Sequence, residues 1–207
     1  MLMINSMKKL TIIGASGHGK VVADIAKLNG YQVIEFLDDN ETAKFCGTYS
    51  VAGKSKDVLK THNDVFIAIG NSVIRKKMLE QIIENRNVPI LVHPDAVIAD
   101  DVMIGPGTVV MAGVVINSGT IIGKGVIVNT CSSIDHDCVV GDYVHIAVGS
   151  HLCGTVNVKE NTWIGAGTTI SNNIEICDSC LIGAGSVVIR NLEKPGTYIG
   201  VPAKFVK

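Results

Sequence analysis

One run of residues stands apart from the aliphatic stretches around it: Asn129-Thr130-Cys131-Ser132-Ser133-Ile134-Asp135-His136-Asp137-Cys138. An imidazole titrates near neutral pH, so His136 is suited to take a proton from an attacking nucleophile. A carboxylate bonded to one ring nitrogen fixes the tautomer and makes the other nitrogen more basic. Asp135 and Asp137 both flank His136 and both qualify. His145 and His151 follow at intervals of nine and six residues, which also raises metal binding. The plain alternative for His136 is a hydrogen-bonded surface imidazole with no chemistry.

A second group lies near the start. Gly14-Ala15-Ser16-Gly17-His18-Gly19-Lys20 follows an apolar run, Leu10-Thr11-Ile12-Ile13, and precedes Val21-Val22-Ala23-Asp24-Ile25-Ala26-Lys27 with helical periodicity. A strand, a glycine loop and a helix in that order cradle an anion, because loop amides and the helix N-terminus both face it. A second strand, residues 33–37, ends in Asp38-Asp39, where an acidic residue commonly meets ribose hydroxyls. A third, residues 65–69, ends at Gly70-Asn71 and leads into a charged helix around Arg75-Lys76-Lys77. The spacing G-x-x-G-x-G differs from the dinucleotide G-x-G-x-x-G, and about ninety residues make half of a dinucleotide fold, so one nucleotide is expected rather than two. The plain alternative is that the glycines only permit a tight turn.

The residues that must position these groups repeat with a period of six. Stepping from Val92 to Val188 gives seventeen positions, all Val, Ile or Leu. The next position is often Gly or Ala, and the fifth is small or β-branched. Period six fits neither one helix face nor one strand. It fits short strands joined at tight corners, one aliphatic side chain per strand pointing inward and glycine easing the corner, with coils stacked around an apolar column.

Bulk properties agree with such a body. Of 207 residues, 47% are hydrophobic and 18% charged, so a packed core is expected. The net charge is −1 with no basic cluster, which gives no footing for nucleic acid. No apolar stretch is long enough to cross a membrane. The six cysteines read as small apolar filler in a reducing cytoplasm, and Cys177-x-x-Cys180 is half a zinc motif without its second half. Met7 before Lys8-Lys9 reads as a natural start, leaving residues 1–6 as an extension.

The loop GASGHGK, the Asp-Asp strand end, the N-T-x-x-x-I-D-H-D segment, H-x-x-x-G and a final G-V-P-A-K occur in one order. Together with the period of six they resemble hexapeptide-repeat sugar O- and N-acetyltransferases, including UDP-amino-sugar N-acetyltransferases of the bacillosamine type and sialic acid O-acetyltransferases. The resemblance runs from about Met7 to Lys207. It implies an α/β N-terminal nucleotide-binding domain, half of a Rossmann fold, over residues 1–90, followed by a left-handed parallel β-helix over residues 91–207. Handedness comes from the resemblance alone.

The resemblance also implies roles. His136 is the general base and Asp137, where relatives often carry Glu, orients it. Gly14, Ser16, Gly17, His18, Gly19, Lys20, Asp38, Asp39, Asn71 and Asn129 bind a UDP-linked 4-amino-deoxy sugar. His145 meets the acetyl thioester of acetyl-CoA, and the Gly154 amide faces the developing oxyanion. Ala166, Gly183 and Ala184 line the pantetheine path, with Pro202 and Lys204 near the nucleotide end. It further implies a homotrimer with acetyl-CoA between protomers; no metal is expected, because the histidine intervals of nine and six and the lack of a distant partner other than His93 do not match a three-histidine zinc site. Rival readings are O-acetylation of a sialic-acid-type sugar, a non-catalytic trimeric scaffold, and a zinc hydratase like the β-helical carbonic anhydrases. Nine residues carry the chain halfway round a coil of three hexapeptides, so His136 and His145 are expected on opposite sides of one chain.

Overall fold

A computed structural model describes residues 7–207. The reading of residues 1–6 as an extension falls outside them. The chain opens with β1 (Lys9–Ile13), α1 (Gly17–Leu28) and β2 (Val33–Leu37). A hairpin follows, β3 (Phe45–Cys46) and β4 (Tyr49–Gly53), and then a 3-10 helix, Ser55–Lys60. β5 (Asp64–Ile67) and α2 (Ser72–Ile82) complete the α/β part. The sheet order is β3-β4-β2-β1-β5, with β1, β2, β4 and β5 parallel where they pair and β3 antiparallel to β4. The order reverses between β1 and β5, the place where open α/β sheets bind ligands. Two details differ from the sequence reading. α1 starts at Gly17, so His18, Gly19 and Lys20 belong to its first turn. The hairpin and the 3-10 helix carry no strong periodicity and went unread.

From Leu91 the chain winds as two-residue strands that pair in parallel at offsets of eighteen, such as Val115 with Ser133 and Ile116 with Ile134. Three faces result. Face I carries Leu91–Val92, Val109–Val110, Ile127–Val128, His145–Ile146 and Trp163–Ile164; face II carries Val97–Ile98, Val115–Ile116, Ser133–Ile134 and His151–Leu152; face III carries Met103–Ile104, Ile121–Ile122 and Val139–Val140. The fold is a left-handed β-helix of hexapeptide repeats after an α/β unit. All seventeen aliphatic positions join or pack against one core. At the fifth position, buried hydroxyls are satisfied by the next coil: Thr108 donates to Gly123 O at 2.9 Å and Ser150 to Gly165 O at 2.8 Å.

The corners correct one reading. The glycines after the aliphatic residue are not the left-handed ones; that conformation falls two residues later. Every sixth residue from Gly107 to Gly185 has φ between 55° and 74°, and seven of these fourteen, Asp137 among them, are not glycine. Gly105, Gly141 and Gly165 are small because a Cβ would lie 2.6–2.8 Å from the backbone of the next coil.

The α/β unit docks on the helix. Val22, Ala23, Ile25 and Ala26 of α1 form one core with Leu91, Val109 and Ile127 of face I. Leu79 and Ile82 of α2 pack against Tyr143, at a corner between faces III and I. No helix among the described residues is long and apolar enough to cross a membrane.

Candidate active site

His136 and Asp137 stand on the corner between faces II and III. Asp137 takes the left-handed position, φ 57°, which turns its carboxylate back onto its neighbour. Oδ2 lies 2.8 Å from His136 Nδ1. Asp135 does something else: its Oδ1 accepts from the His136 amide at 2.9 Å and from Asn117 Nδ2 at 2.8 Å, fixing the main chain under the imidazole. The orienting role therefore falls to Asp137, although its chain is short. Its hydrogen bond, with the charges of Asp135 and Asp137, holds the imidazole above its ordinary 6.5 against a smaller desolvation effect. With Nδ1 bonded to Asp137, Nε2 is left as the basic nitrogen. It lies over Gly154, where a Cβ would sit 2.5 Å from Nε2. The Gly154 amide finds no acceptor among the described residues.

His145 lies on face I, opposite that corner. It is buried and packs against Trp163, ring centroids 4.3 Å apart and planes tilted by 43°. Asn129 Nδ2 is 3.4 Å from its Nε2, while Nδ1 has no partner among the described residues. Burial, then the nearby charge of Arg75, brings His145 down to about 3. His18, at the start of α1, is likewise down to about 4, through burial and then Arg75, with Nε2 buried and unpartnered among the described residues. Both imidazoles are neutral at physiological pH. His136, His145 and His151 thus leave from a corner and two different faces, and His151 Nδ1 is 2.8 Å from Ser133 Oγ. Among the described residues no three His, Cys, Asp or Glu gather as metal ligands.

The glycine loop has steric reasons for two of its glycines. A Cβ on Gly14 (φ 108°) would sit 2.7 Å from Ala68 O, and one on Gly19 would overlap Gly14 O. Gly17 has open space. Ser16 is the N-cap of α1 without a side-chain cap bond, which leaves first-turn amides facing outward beside exposed Lys20. Asp38 spends its carboxylate on the loop, accepting from Ala15 N at 2.6 Å and Asn40 N at 2.8 Å. Asp39 accepts from the Ser55 amide at 3.0 Å and its hydroxyl at 2.7 Å, and these bonds lower its pKa. Asn71 caps α2, accepting from Ile74 N at 3.0 Å. A cleft of about 320 Å³ runs past Gly14, Ser16, Asp38 and Gly70, and one of about 730 Å³ continues between the 3-10 helix and α2. Ser55, Ile74 and Met78 line both. Sequence reasoning missed these three, since nothing in their types marks them.

Ala166 and Ala184 are exposed on the corner between faces I and II, and Gly183 is overlaid by Ile199. Pro202 and Lys204 border a crevice of about 160 Å³ with Val188 and Arg190. One chain therefore holds two clusters: His136, Asp137 and Gly154 on one edge, and the loop, Asn129, His145, Ala166 and Ala184 on the other side.

Comparison with known proteins accords with this architecture. Residues 9–82 match the PglD N-terminal domain, and residues 95–130 and 155–190 match the bacterial transferase hexapeptide. The chain is 35% identical to the GDP-perosamine N-acetyltransferase of Escherichia coli O157:H7 over 166 residues, 74% of each chain. The chain belongs to the hexapeptide-repeat sugar N-acetyltransferases. Over 96% of its length it superposes on the acetyltransferase domain of PglB from Neisseria gonorrhoeae FA1090, covering 99% of that chain with a TM-score of 0.92 and 37% identity. That protein was solved with acetyl coenzyme A. PerB from Caulobacter crescentus, solved with CoA and GDP-perosamine, gives a TM-score of 0.90 and 32% identity, covering 98% of this chain and 99% of its own. As a member of the family the chain is an acyltransferase that draws on acetyl-CoA.

Proposed function

We propose that the chain N-acetylates a UDP-linked 4-amino-deoxy sugar by direct transfer, with His136 as general base. The observation that carries this is the His136–Asp137 pair, with Nε2 held against the Gly154 backbone. The neutral amine attacks the thioester carbonyl carbon and a C–N bond forms. Nε2 takes the amine proton while the Gly154 amide meets the oxyanion. The C–S bond then breaks, and the sulfur leaves with the proton that His136 returns. His145, neutral and packed against Trp163, meets the thioester region, and Asn129 beside it meets the sugar. The pantetheine follows Ala166, Gly183 and Ala184 towards Pro202 and Lys204.

In this reading residues 1–90 hold the nucleotide and residues 91–207 transfer the acetyl group. The diphosphate lies at the first turn of α1, near Ser16, Gly17, His18, Gly19 and Lys20. Asp38 acts by shaping the loop, Asp39 and Asn71 border the cleft, and the base enters its extension towards Ser55. The two histidine clusters form one site when a second copy brings its edge to face I of the first, as a homotrimer permits. Exposed Val97, Met103, Ile121 and Val139 on faces II and III offer apolar surface for such packing. The need for acetyl-CoA and a nucleotide sugar supports a cytoplasmic reaction.

A second reading, GDP in place of UDP, is favoured by the Escherichia coli and Caulobacter relatives, whose names or ligands are GDP-perosamine. The test measures thiol release from acetyl-CoA with UDP- and GDP-linked amino sugars and with free sialic acid. Turnover with a UDP-linked amine and melting protection by UDP over GDP supports the first reading. Preference for GDP-linked amine supports the second, and turnover with sialic acid alone overturns both.

A further inference from the structure

Arg75 lies on α2, 1% exposed, at the seam between the α/β unit and the β-helix. Its guanidinium meets four main-chain carbonyls. Nη1 donates to Ile69 O at 2.7 Å and Gly70 O at 2.8 Å, the segment that runs from β5 to Asn71. Nε donates to Gly125 O and Nη2 to Tyr143 O, both at 2.7 Å, at the same corner on successive coils of the β-helix. Among the described residues no carboxylate pairs with it. A buried cation is costly unless its donors are met, and here carbonyl dipoles meet four of its five N–H groups. The planar fork fits this arrangement: one guanidinium reaches one segment of the α/β unit and two coils of the β-helix, a span that the compact ammonium of a lysine does not match.

Each pair of carbonyls borders a part of the proposed site. Ile69 and Gly70 line the nucleotide cleft, and Tyr143 is two residues before His145. We infer that Arg75 is a positioning residue for the acceptor: it fixes the spacing between the cleft at residues 69–71 and the strand that carries His145. The inference rests on the amino-sugar reading for its kinetic consequence, and on geometry alone for the link itself. The neighbouring α2 contacts, Lys76 Nζ to Glu160 at 3.2 Å and Leu79 against the corners, also hold the units together. Arg75 alone among them donates hydrogen bonds to the carbonyls of residues 69 and 70. The charge of Arg75 also contributes, after burial, to keeping His18 and His145 neutral.

The experiment compares Arg75→Lys with the wild type in the full chain. Hydrogen exchange reads the link without any substrate: amides of residues 70–75 and 143–146 should exchange about tenfold faster, while the core of faces II and III is unchanged. Steady-state kinetics read the consequence: acceptor kcat/KM should fall about 30-fold, the scale of lost charge-assisted hydrogen bonds, with acetyl-CoA KM within about threefold. Unchanged exchange overturns the link. Faster exchange with normal acceptor kinetics, or equal loss for both substrates, overturns the positioning role. If the wild type acetylates no nucleotide amino sugar, the reading of function fails while the exchange result still decides the link. Should Arg75→Lys not fold, Arg75→Ala with millimolar methylguanidinium replaces it; restored exchange protection supports the link, and none overturns it.

Discussion

A base must be neutral to take a proton, and Asp137 holds His136 above its ordinary 6.5. Turnover should therefore fall as pH drops through a value above 6.5. Asp137→Asn removes the cause of that rise, so the acid limb should move to lower pH while the plateau drops; a pH–rate profile reads both, and an unmoved limb counts against the pair. His136→Ala should lower kcat by about 10²–10⁴-fold, the usual worth of a general base, with acetyl-CoA affinity within a few-fold. Near-normal turnover would remove His136 from the role. His145, at about 3, has no charge to lose across the assay range, so His145→Asn should leave the limb in place whatever it does to kcat. At this scale the residue types marked His136 but left both aspartates open, and Asp137 was named by the family resemblance alone. Asp135 and Asp137 are equidistant along the chain, and only the left-handed corner turns Asp137 onto Nδ1 while Asp135 reaches the amide.

At the scale of strands and corners, two kinds of small residue answer to different forces. Gly105 is small because the next coil passes within 2.6 Å of where its Cβ would be, whereas Ser179 sits at φ 57°, where glycine is at ease. Gly105→Ala should destabilise by about 1–3 kcal/mol, as overpacking does. Ser179→Gly should be neutral or stabilise by up to about 1 kcal/mol, because the left-handed strain is relieved. Urea titrations of both variants measure this, and similar losses at the two positions would mean the corners are not specialised. Period six was legible because every coil repeats the same inward demand. The hairpin at residues 45–53 and the early start of α1 were not, since they follow from packing against neighbours rather than from a pattern along the chain.

For the molecule as a whole, the triangular cross-section separates what one reaction needs. His136 is on the corner opposite face I, where His145 and the α/β unit lie. His136→Ala and His145→Ala, each inactive alone, should regain part of the activity when unfolded and refolded together, because mixed assemblies contain some interfaces with both histidines intact. A dead mixture with proven subunit exchange would show that the two do not share a site. The same separation explains why single-chain clefts gather Gly14, Asp38 and Gly70 but not His136.

The sequence by itself determined the repeat of short strands around one apolar column, because seventeen aliphatic positions share one period; three hexapeptides to a coil, and with them the half-coil spacing of His136 and His145, came from the family resemblance. The chain's order of strand, turn and helix also made the glycine loop a candidate anion site. The tertiary structure alone decided that Asp38 is committed to Ala15 N, that Asn71 is a cap, and that Arg75 bridges two units. Those outcomes depend on main-chain groups brought near by packing. A string records which side chain stands at each position, but the amides and carbonyls it meets are the same at nearly every residue, so their partners are fixed only when the chain is folded.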